Sequence, residues 1–184
     1  MTLVAGCDDG FVDKSRQYTV VACVFYDERL PRYVRLGLVR IDGLDVTSIL
    51  AALLGLDVDV VFLDTLIYAG FNIVSIPGLK KLIGSKVIAF YPYKPSYERL
   101  AEPIRKHLSN ARLRLRLLSQ LEWFREVETG RGTVYSVDSF RGPLEVRSWI
   151  ERYQFFSRIP EPLRVAHMVA SQSSMMFLRR KVVE

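Results

Sequence analysis

Two aspartates stand directly after apolar segments that have the length of buried strands. Asp8 follows Thr2–Cys7, and Asp64 follows Asp59–Leu63. If these strands are parallel neighbours, about 4.8 Å apart, their carboxyl ends share one edge of the sheet, where open α/β sheets form their ligand sites. Both carboxylates could then bind one Mg²⁺ or Mn²⁺ ion, since these cations take oxygen ligands. The pattern predicts a metal site at Asp8 and Asp64; the alternative is that each aspartate only caps a turn.

The order of elements along the chain determines whether the two strands meet. Three strands come first, joined by short connections that allow antiparallel pairing, and two later strands each follow a helix. Strands that are joined by a helical crossover must be parallel, and the crossover connection is right-handed. This order predicts a ribonuclease-H-like α/β fold, with a mixed five-stranded sheet in the order 3-2-1-4-5 flanked by helices. The predicted strands are Thr2–Cys7, Tyr18–Tyr26, Tyr33–Ile41 (near the sheet edge), Asp59–Leu63 and Lys86–Tyr91.

Helices and a hairpin are predicted around this sheet, and residues 1–184 are interpreted as a single domain with a C-terminal helical and hairpin elaboration. Arg and Leu alternate over Arg112–Leu117, which fits either a one-sided strand or a basic helix. The predicted helices are Ser48–Leu54, a helix from Pro77 to Gly84, Ser96–Leu108 with a break at Pro103, Pro143–Phe156 and Pro160–Arg180; the predicted hairpin joins Phe124–Thr129 to Thr133–Phe140.

Composition excludes several classes of protein. The chain has 184 residues, of which 49% are hydrophobic and 25% charged, as in a globular protein with a substantial core. Its longest apolar stretch, Ile49–Leu56, is far shorter than the ~20 residues of a membrane span, and its start lacks the basic head of a signal peptide. Cys7 and Cys23 fit no zinc spacing and are interpreted as small buried core residues on adjacent strands. We expect a cytoplasmic protein without a membrane partner.

Charge is distributed unevenly along the chain. Residues 1–92 carry 9 basic and 10 acidic side chains, whereas residues 93–184 carry 17 basic and 10 acidic ones. A half that is rich in carboxylates beside a half that is rich in arginine suits a protein that holds cations near a polyanion. Charge leaves two alternatives equally open, a nucleic-acid partner and an ordinary solvated basic surface; RNA or single-stranded DNA is the partner we expect.

Four blocks of sequence resemble a known family. Taken in their order along the chain, the four blocks resemble the archaeal endonuclease V-like proteins, called the domain of unknown function 99 family. The resemblance implies a ribonuclease-H-like fold and kinship with endonuclease V, which uses carboxylate-held Mg²⁺ or Mn²⁺ to cleave a phosphodiester near inosine in DNA or RNA. It matches Asp8 and Asp64 to the catalytic aspartates of the first and fourth strands. The blocks are Cys7–Phe11, Ile41–Thr47, Leu63–Asp64 with Ala69–Asn72, and Pro160–His167.

The resemblance suggests further catalytic residues. His167 matches a position where some endonuclease V proteins place a His or Asp near the metals; the alternative is a buried structural histidine. Endonuclease V and ribonuclease H also supply a glutamate between the third and fourth strands, but residues 42–56 contain none. Asp42 or Asp45 is the candidate replacement, although Asp45 is more typical of a helix cap. Asp42 would lie roughly 10 Å from Asp8, two strands away.

Two more residues are candidates for binding substrate. Asn72 lies in the loop beyond the fourth strand, where it would contact a base or a phosphate or would form part of a plain turn. Arg164 precedes His167 by three residues on the same helical face, and it is interpreted as a phosphate clamp or as the partner of Glu161. Asp9 should point to the sheet face opposite Asp8 and form a turn or support the site.

The expected function is a divalent-metal-dependent phosphodiesterase of nucleic acid, working by metal-assisted hydrolysis. The alternative is a nucleic-acid-binding or scaffolding protein that kept the fold and lost cleavage. Trp123 and Met175–Met176 are interpreted as core residues or as contacts between the subunits of a homo-oligomer.

Overall fold

The computed structural model describes residues 2–179 of the chain, which contain nine strands and six α-helices. The strands are β1 (Leu3–Asp9), β2 (Tyr18–Asp27), β3 (Leu30–Arg40), β4 (Val60–Leu63), β5 (Ile67–Tyr68), β6 (Asn72–Ile73), β7 (Lys86–Tyr91), β8 (Arg125–Thr129) and β9 (Gly132–Asp138). The helices are α1 (Val46–Leu54), α2 (Ile76–Ile83), α3 (Tyr97–His107), α4 (Ala111–Leu118), α5 (Pro143–Tyr153) and α6 (Glu161–Arg179), with a 3₁₀ turn at Ser119–Trp123.

Seven of the strands form one mixed sheet in the order β3-β2-β1-β4-β7-β9-β8. Its first five strands have the predicted order, with β1 antiparallel to β2 and parallel to β4. The predicted fold class is therefore confirmed, but the predicted strand count of five is wrong. The β8–β9 hairpin was expected as a separate elaboration, whereas it extends the sheet because Ala89 of β7 pairs with Val137 of β9. Such a pairing between distant segments leaves no local signal in the sequence.

Helices cover both faces of the sheet, and alternate residues of β1 separate two cores. Ala5 and Cys7 pack on the face covered by α1 to α4, whereas Val4 packs on the face covered by α5 and α6. Asp8 continues the alternation of Val4 and Gly6, so its side chain emerges on the α6 face. Because Asp8 points to this face, α6 is the helix that can contribute side chains to a site at Asp8.

Helix α6 lies exceptionally close to β1 because two glycines face it. A Cβ built on Gly6 would lie 2.3 Å from the Pro162 carbonyl carbon, and one on Gly10 would lie 2.5 Å from the Ala170 carbonyl oxygen. No side chain fits within such distances, so only glycine permits this approach. The close packing brings the middle of α6 next to the carboxyl end of β1.

Cys7 and Cys23 are buried core residues on adjacent strands, as predicted, but they are also joined by a disulfide, which was not predicted. They stand directly opposite each other in the antiparallel β1–β2 register, with their Cα atoms 4.2 Å apart, and both are buried. The register that makes them neighbours depends on the whole pairing of the two strands. Their spacing of 16 residues does not reveal it.

Two other local predictions are corrected or resolved by packing. Pro103 does not break α3, which continues to His107. Ala101 and Ile104, on either side of the proline, are both buried in the core on the α1–α4 side, and this burial outweighs the one lost backbone hydrogen bond. Of the two alternatives for Arg112–Leu117, the helix is observed as α4.

Helix α6 agrees with the predicted Pro160–Arg180, although Arg180 lies outside the described residues. Trp123 is 80% exposed and Met176 is also exposed, so neither belongs to the core. Within residues 2–179, no helix combines the length and the apolarity required to cross a bilayer.

Candidate active site

The structure brings Asp8 and Asp64 side by side. In the parallel β1–β4 pair Cys7 is opposite Leu63, so the next residues in register are Asp8 and Asp64. The Asp64 amide donates a hydrogen bond to the Cys7 carbonyl oxygen at 3.1 Å, which holds the two strand ends together. The two carboxyl groups line a cavity of about 410 Å³; Asp9, Gly10, Phe11, His167, Ser171 and Met175 complete its lining.

Burial and mutual repulsion make these carboxyl groups weak acids. Asp8 is only 3% exposed, and its burial, followed by the charges of Asp64 and Asp9, raises its pKa to about 7. Burial also raises the pKa of Asp64, while the nearby His167 lowers it. Carboxylates crowded in this way gain from a bound cation, which compensates for the lost hydration and the repulsion.

Asp8 is held by two hydrogen-bonding groups. Its Oδ1 accepts a hydrogen bond from the Asp9 amide at 2.7 Å, and its Oδ2 lies 2.8 Å from His167 Nδ1. The His167 side chain is 69% exposed, so the alternative of a buried structural histidine is wrong. Polar atoms of His167 face both the carboxyl group and the solvent, as a residue that exchanges protons requires.

Asp9 is a further acidic residue that borders this cavity. Its side chain takes the opposite sheet face from Asp8, as predicted, where Oδ2 accepts a hydrogen bond from the Ala69 amide at 2.6 Å. Burial raises the pKa of Asp9 to about 6. The sequence predicts only a turn or a supporting role for Asp9, although its position directly after Asp8 is a signal that both residues border one site.

Asp42 does not reach the Asp8 cavity. It adopts a left-handed backbone conformation (φ 52°) after β3, and its Oδ1 accepts a hydrogen bond from the Phe71 amide at 2.8 Å. Asp42 lines a different cavity, shared with Lys14 and His107. The structure therefore places this candidate catalytic residue in a loop contact, apart from Asp8 and Asp64.

Asn72 and Asp45 hold the start of α1. Asn72 is fully buried; its Nδ2 donates hydrogen bonds to Asp45 Oδ1 at 2.5 Å and to the Arg40 carbonyl oxygen at 2.9 Å. Its Oδ1 accepts a hydrogen bond from the Val46 amide at 3.1 Å, which caps the helix. Asp45 occupies the N-cap position but makes no side-chain bond to the helix backbone. Asn72 thus lies away from the cavity where it was expected to bind substrate.

Arg114 holds the same loop in place. Although it is an arginine, it is buried, and its guanidinium donates to four backbone carbonyl groups. Two of these belong to Asp42 and Gly43, and the others to Phe71 and Ser109. The alternating Arg–Leu pattern gives no sign that one of three arginines points inward.

Arg164 pairs with Glu161, which was one of its two predicted roles. The guanidinium donates to both carboxylate oxygens, at 2.8 and 2.5 Å. Glu161 is itself buried, so this ion pair fixes the first turn of α6. The structure does not bring Arg164 to the Asp8 cavity.

The donor set suits a hard divalent cation that also takes ligands from water or substrate. Among the described residues, no group of three or more His, Cys, Asp or Glu side chains is arranged to hold a metal by itself. Asp8 and Asp64 offer carboxylate oxygens from two strand ends. Mg²⁺ is commonly bound by one or two carboxylates together with phosphates and waters, so these residues fit such an ion.

This sheet order, with carboxylates at the ends of the neighbouring strands β1 and β4, is that of a ribonuclease-H-like fold. The chain belongs to the family described as endonuclease dU, whose model matches residues 2–174. A UPF0215 protein of Aeropyrum pernix is 46% identical over 178 residues, covering 92% of this chain and 96% of the relative. One from Sulfurisphaera tokodaii is 32% identical over 185 residues, covering 98% and 99%.

Solved structures show the same fold. A protein of unknown function from Archaeoglobus fulgidus superposes with a TM-score of 0.82 at 24% identity, covering 94% of this chain and 98% of that one. Ciona intestinalis endonuclease V, in complex with a 23-mer DNA that contains an inosine followed by a ribo-adenosine, gives a TM-score of 0.56 at 15% identity, with 97% and 86% covered. Human endonuclease V gives 0.54 at 18% identity, with 100% and 87% covered.

Proposed function

We propose that this protein is a divalent-metal-dependent nuclease that cleaves a phosphodiester bond of DNA near deoxyuridine. The observation that carries the proposal is the pair of carboxyl groups of Asp8 and Asp64, on adjacent strand ends in one cavity. The name of the family supports deoxyuridine as the base, and the inosine-containing DNA bound to the Ciona enzyme supports a deaminated base in general.

Asp8 and Asp64 would hold Mg²⁺ or Mn²⁺ in this proposal. A cation bound there would stabilise the negative charge on the phosphoryl oxygens and would lower the pKa of a coordinated water molecule. The two side chains need no large rearrangement to act together, because the β1–β4 register already places them side by side. Asp9, with its carboxylate bonded to the Ala69 amide, keeps the loop after β4 next to the site.

His167 is suited to hold a proton at the edge of the site. When Asp8 is ionised, the Nδ1–H group of His167 donates a hydrogen bond to Asp8 Oδ2, and the neutral imidazole carries a lone pair on Nε2. Because the side chain is largely exposed, Nε2 can accept a proton from a water molecule or return it to a leaving oxygen. Asp8 thereby orients the imidazole ring as well as binding the cation.

A second candidate function is binding of nucleic acid without cleavage. It is favoured by the placement of the acidic residues between β3 and β4. Asp42 and Asp45 are bonded to the loop around Asn72, and Asp59 accepts a hydrogen bond from the Leu3 amide at the opposite end of the strands. None of these three residues supplies the carboxylate that endonuclease V and ribonuclease H have in this segment.

Cleavage of end-labelled oligonucleotides in Mn²⁺ or Mg²⁺ tests the proposal. The substrates are single- and double-stranded DNA with one deoxyuridine or one deoxyinosine, RNA with one inosine, and unmodified strands. We expect cleavage near deoxyuridine that Asp8→Asn or Asp64→Asn reduces by more than about a hundredfold, since residues that merely support metal ligands already cost 10- to 100-fold. Asp57→Asn, at an exposed position, is the matched control and should cut like the wild type.

The variants also separate the two candidate functions. Asp42→Asn should retain most of the cleavage rate, because Asp42 lies outside the cavity. Binding that weakens steeply with salt, without cleavage of any substrate, would refute the nuclease and support the binding protein. Equal cleavage by wild type and Asp8→Asn would show that the activity does not come from this site.

A further inference from the structure

A second cavity, of about 630 Å³, lies beyond the other end of the strands from Asp8. It is bordered by the end of β2, the segment after α5 and the start of α6. Three arginines line it, namely Arg29, Arg131 and Arg152, together with the rings of Phe155 and Phe156. The Asp8 cavity, in contrast, has no lysine or arginine among the described residues that line it.

The arginines of this cavity carry uncompensated positive charge. Within residues 2–179, none of the three has a carboxylate within salt-bridge distance. The two glutamates of the lining are already paired, Glu151 with Arg147 at 3.1 Å and Glu161 with Arg164 at 2.5 Å. The cavity therefore presents a net positive charge to solvent and attracts anions.

The guanidinium groups are held in place by rings and backbone. Arg29 lies over the Phe155 ring at 5.3 Å, and Arg152 lies over Trp149 at 5.5 Å. Arg131 donates hydrogen bonds to the carbonyl oxygens of Gln154 at 2.8 Å and of Phe155 at 2.6 Å, which orders the segment after α5. Stacked guanidinium groups lose less freedom when they bind an anion.

The exposed aromatic surface distinguishes this cavity from a simple anion site. Phe156 is 77% exposed, and it follows Phe155, whose ring meets it edge to face at 6.3 Å. A nucleobase can stack on such a ring, while arginines bind the neighbouring phosphates through bidentate hydrogen bonds. A cavity of this volume is within the range of sites that hold a small organic ligand.

We propose that this arginine–phenylalanine cavity binds a single-stranded segment of nucleic acid, with Arg29 and Arg152 on its phosphates and Phe156 against a base. The proposal rests on the proposed function in one respect, since the bound segment would belong to the strand that enters the Asp8 cavity. An acidic peptide would also find three positive charges here, but the exposed rings beside the guanidinium groups favour a ligand with both phosphates and flat bases.

Helix α6 joins the two cavities. Glu161 and Val165 border the arginine–phenylalanine cavity, and His167 and Ser171 border the Asp8 cavity. The six helical steps from Glu161 to His167 rise about 9 Å along the helix axis. At 3.4 Å per nucleotide of a helical strand, about three nucleotides span that distance. One strand could therefore occupy both cavities by following the exposed side of α6, and the basic cavity would supply the phosphate contacts that the Asp8 cavity lacks.

Binding of fluorescein-labelled single-stranded DNA in EDTA, followed by anisotropy over a range of salt concentrations, tests this inference. The double variant Arg29→Gln/Arg152→Gln leaves Arg131 and the loop it orders in place. We expect it to weaken binding about tenfold and to reduce the salt slope by about 1.4, because each phosphate contact on a single strand contributes about 0.7. Phe156→Ser should weaken binding at least fivefold with little change of slope.

The matched control is Lys81→Gln/Arg99→Gln, which removes two exposed charges from α2 and α3 on the other face of the sheet. It should bind nearly as tightly as the wild type. Equal weakening by the two double variants would overturn the inference, since it would reflect only net charge. So would a polyglutamate peptide that binds the wild type more tightly than the DNA does. Failure of cleavage near deoxyuridine would refute the nuclease but would leave this binding comparison unaffected.

Discussion

His167 Nδ1 lies 2.8 Å from Asp8 Oδ2, although 159 positions separate the two residues in the sequence. The contact exists because Gly6 and Gly10 let α6 pack directly on β1, which aligns the middle of the helix with the end of the strand. Through this contact the exposed His167 imidazole lowers the pKa of Asp8, the most buried carboxyl group of the site. Protonation of Asp8 should therefore affect both the stability of the protein and its affinity for a metal ion.

The stability of the metal-free protein should fall as the pH rises through the acidic range. The pKa of Asp8 is 3.8 in a model peptide and about 7 in the folded protein, and that of Asp9 rises from 3.8 to about 6. The folded state therefore binds more protons than the unfolded state between these values, and stability present below pH 4 is lost progressively up to pH 7. Urea unfolding in EDTA at pH 4.5, 6 and 7.5 measures the effect. Asp8→Asn should flatten the dependence, and an identical slope in that variant would contradict the assignment to Asp8.

Replacing His167 should weaken metal binding most strongly near neutral pH. The hydrogen bond from His167 lowers the pKa of Asp8, so in His167→Ala this pKa rises and a larger fraction of the carboxyl group stays protonated. We expect Mn²⁺ affinity at pH 7 to fall about 10- to 100-fold and to recover partly by pH 8.5. Isothermal titration gives both values. His107→Ala, at the other histidine of the chain and in a different cavity, should change neither, and the hypothesis fails if the two variants behave alike.

Loss of Arg114 should destabilise the fold without acting on the Asp8 cavity directly. Its buried guanidinium donates to the carbonyl groups of Asp42, Gly43 and Phe71, which would be left unpaired in Arg114→Ala. Unpaired buried polar groups cost about 1–3 kcal/mol each, so the free energy of unfolding should fall by about 3 kcal/mol. Arg112→Ala, exposed on the same helix, should cost less than about 0.5 kcal/mol in the same denaturation experiment. Similar losses in both variants would mean that the carbonyl contacts contribute little.

Breaking the Cys7–Cys23 disulfide should lower stability without unfolding the sheet. The bond closes a loop with a sequence separation of 16, and a disulfide across a loop of that size contributes about 3 kcal/mol. Unfolding of the wild type should therefore shift on addition of a reductant, whereas Cys7→Ala/Cys23→Ala should be insensitive to it. Thiol titration in denaturant without reductant counts the free thiol groups directly, and we expect none. Two free thiols there would rule out the disulfide.

The order of the five strands followed from local properties of the sequence. Apolar runs such as Tyr18–Tyr26 and Lys86–Tyr91 mark strands because alternating or continuous burial needs apolar side chains, and connection length decides between antiparallel and parallel pairing. The place of the β8–β9 hairpin at the edge of β7 could not be read in this way. Hydrogen bonds between separate backbone segments carry no residue-specific signature.

At the candidate site, local sequence patterns were enough to predict that Asp8 and Asp64 are neighbours, because both residues close strands whose order follows from the crossover rule. Which other polar residues are free to act depends on contacts that form only in the folded protein. Asp42, Asn72 and Arg164 have suitable side chains, but loop and helix contacts occupy them, whereas His167 reaches Asp8 through the close packing of α6. Chemical type is a property of one residue, while availability depends on partners that folding brings from distant parts of the chain.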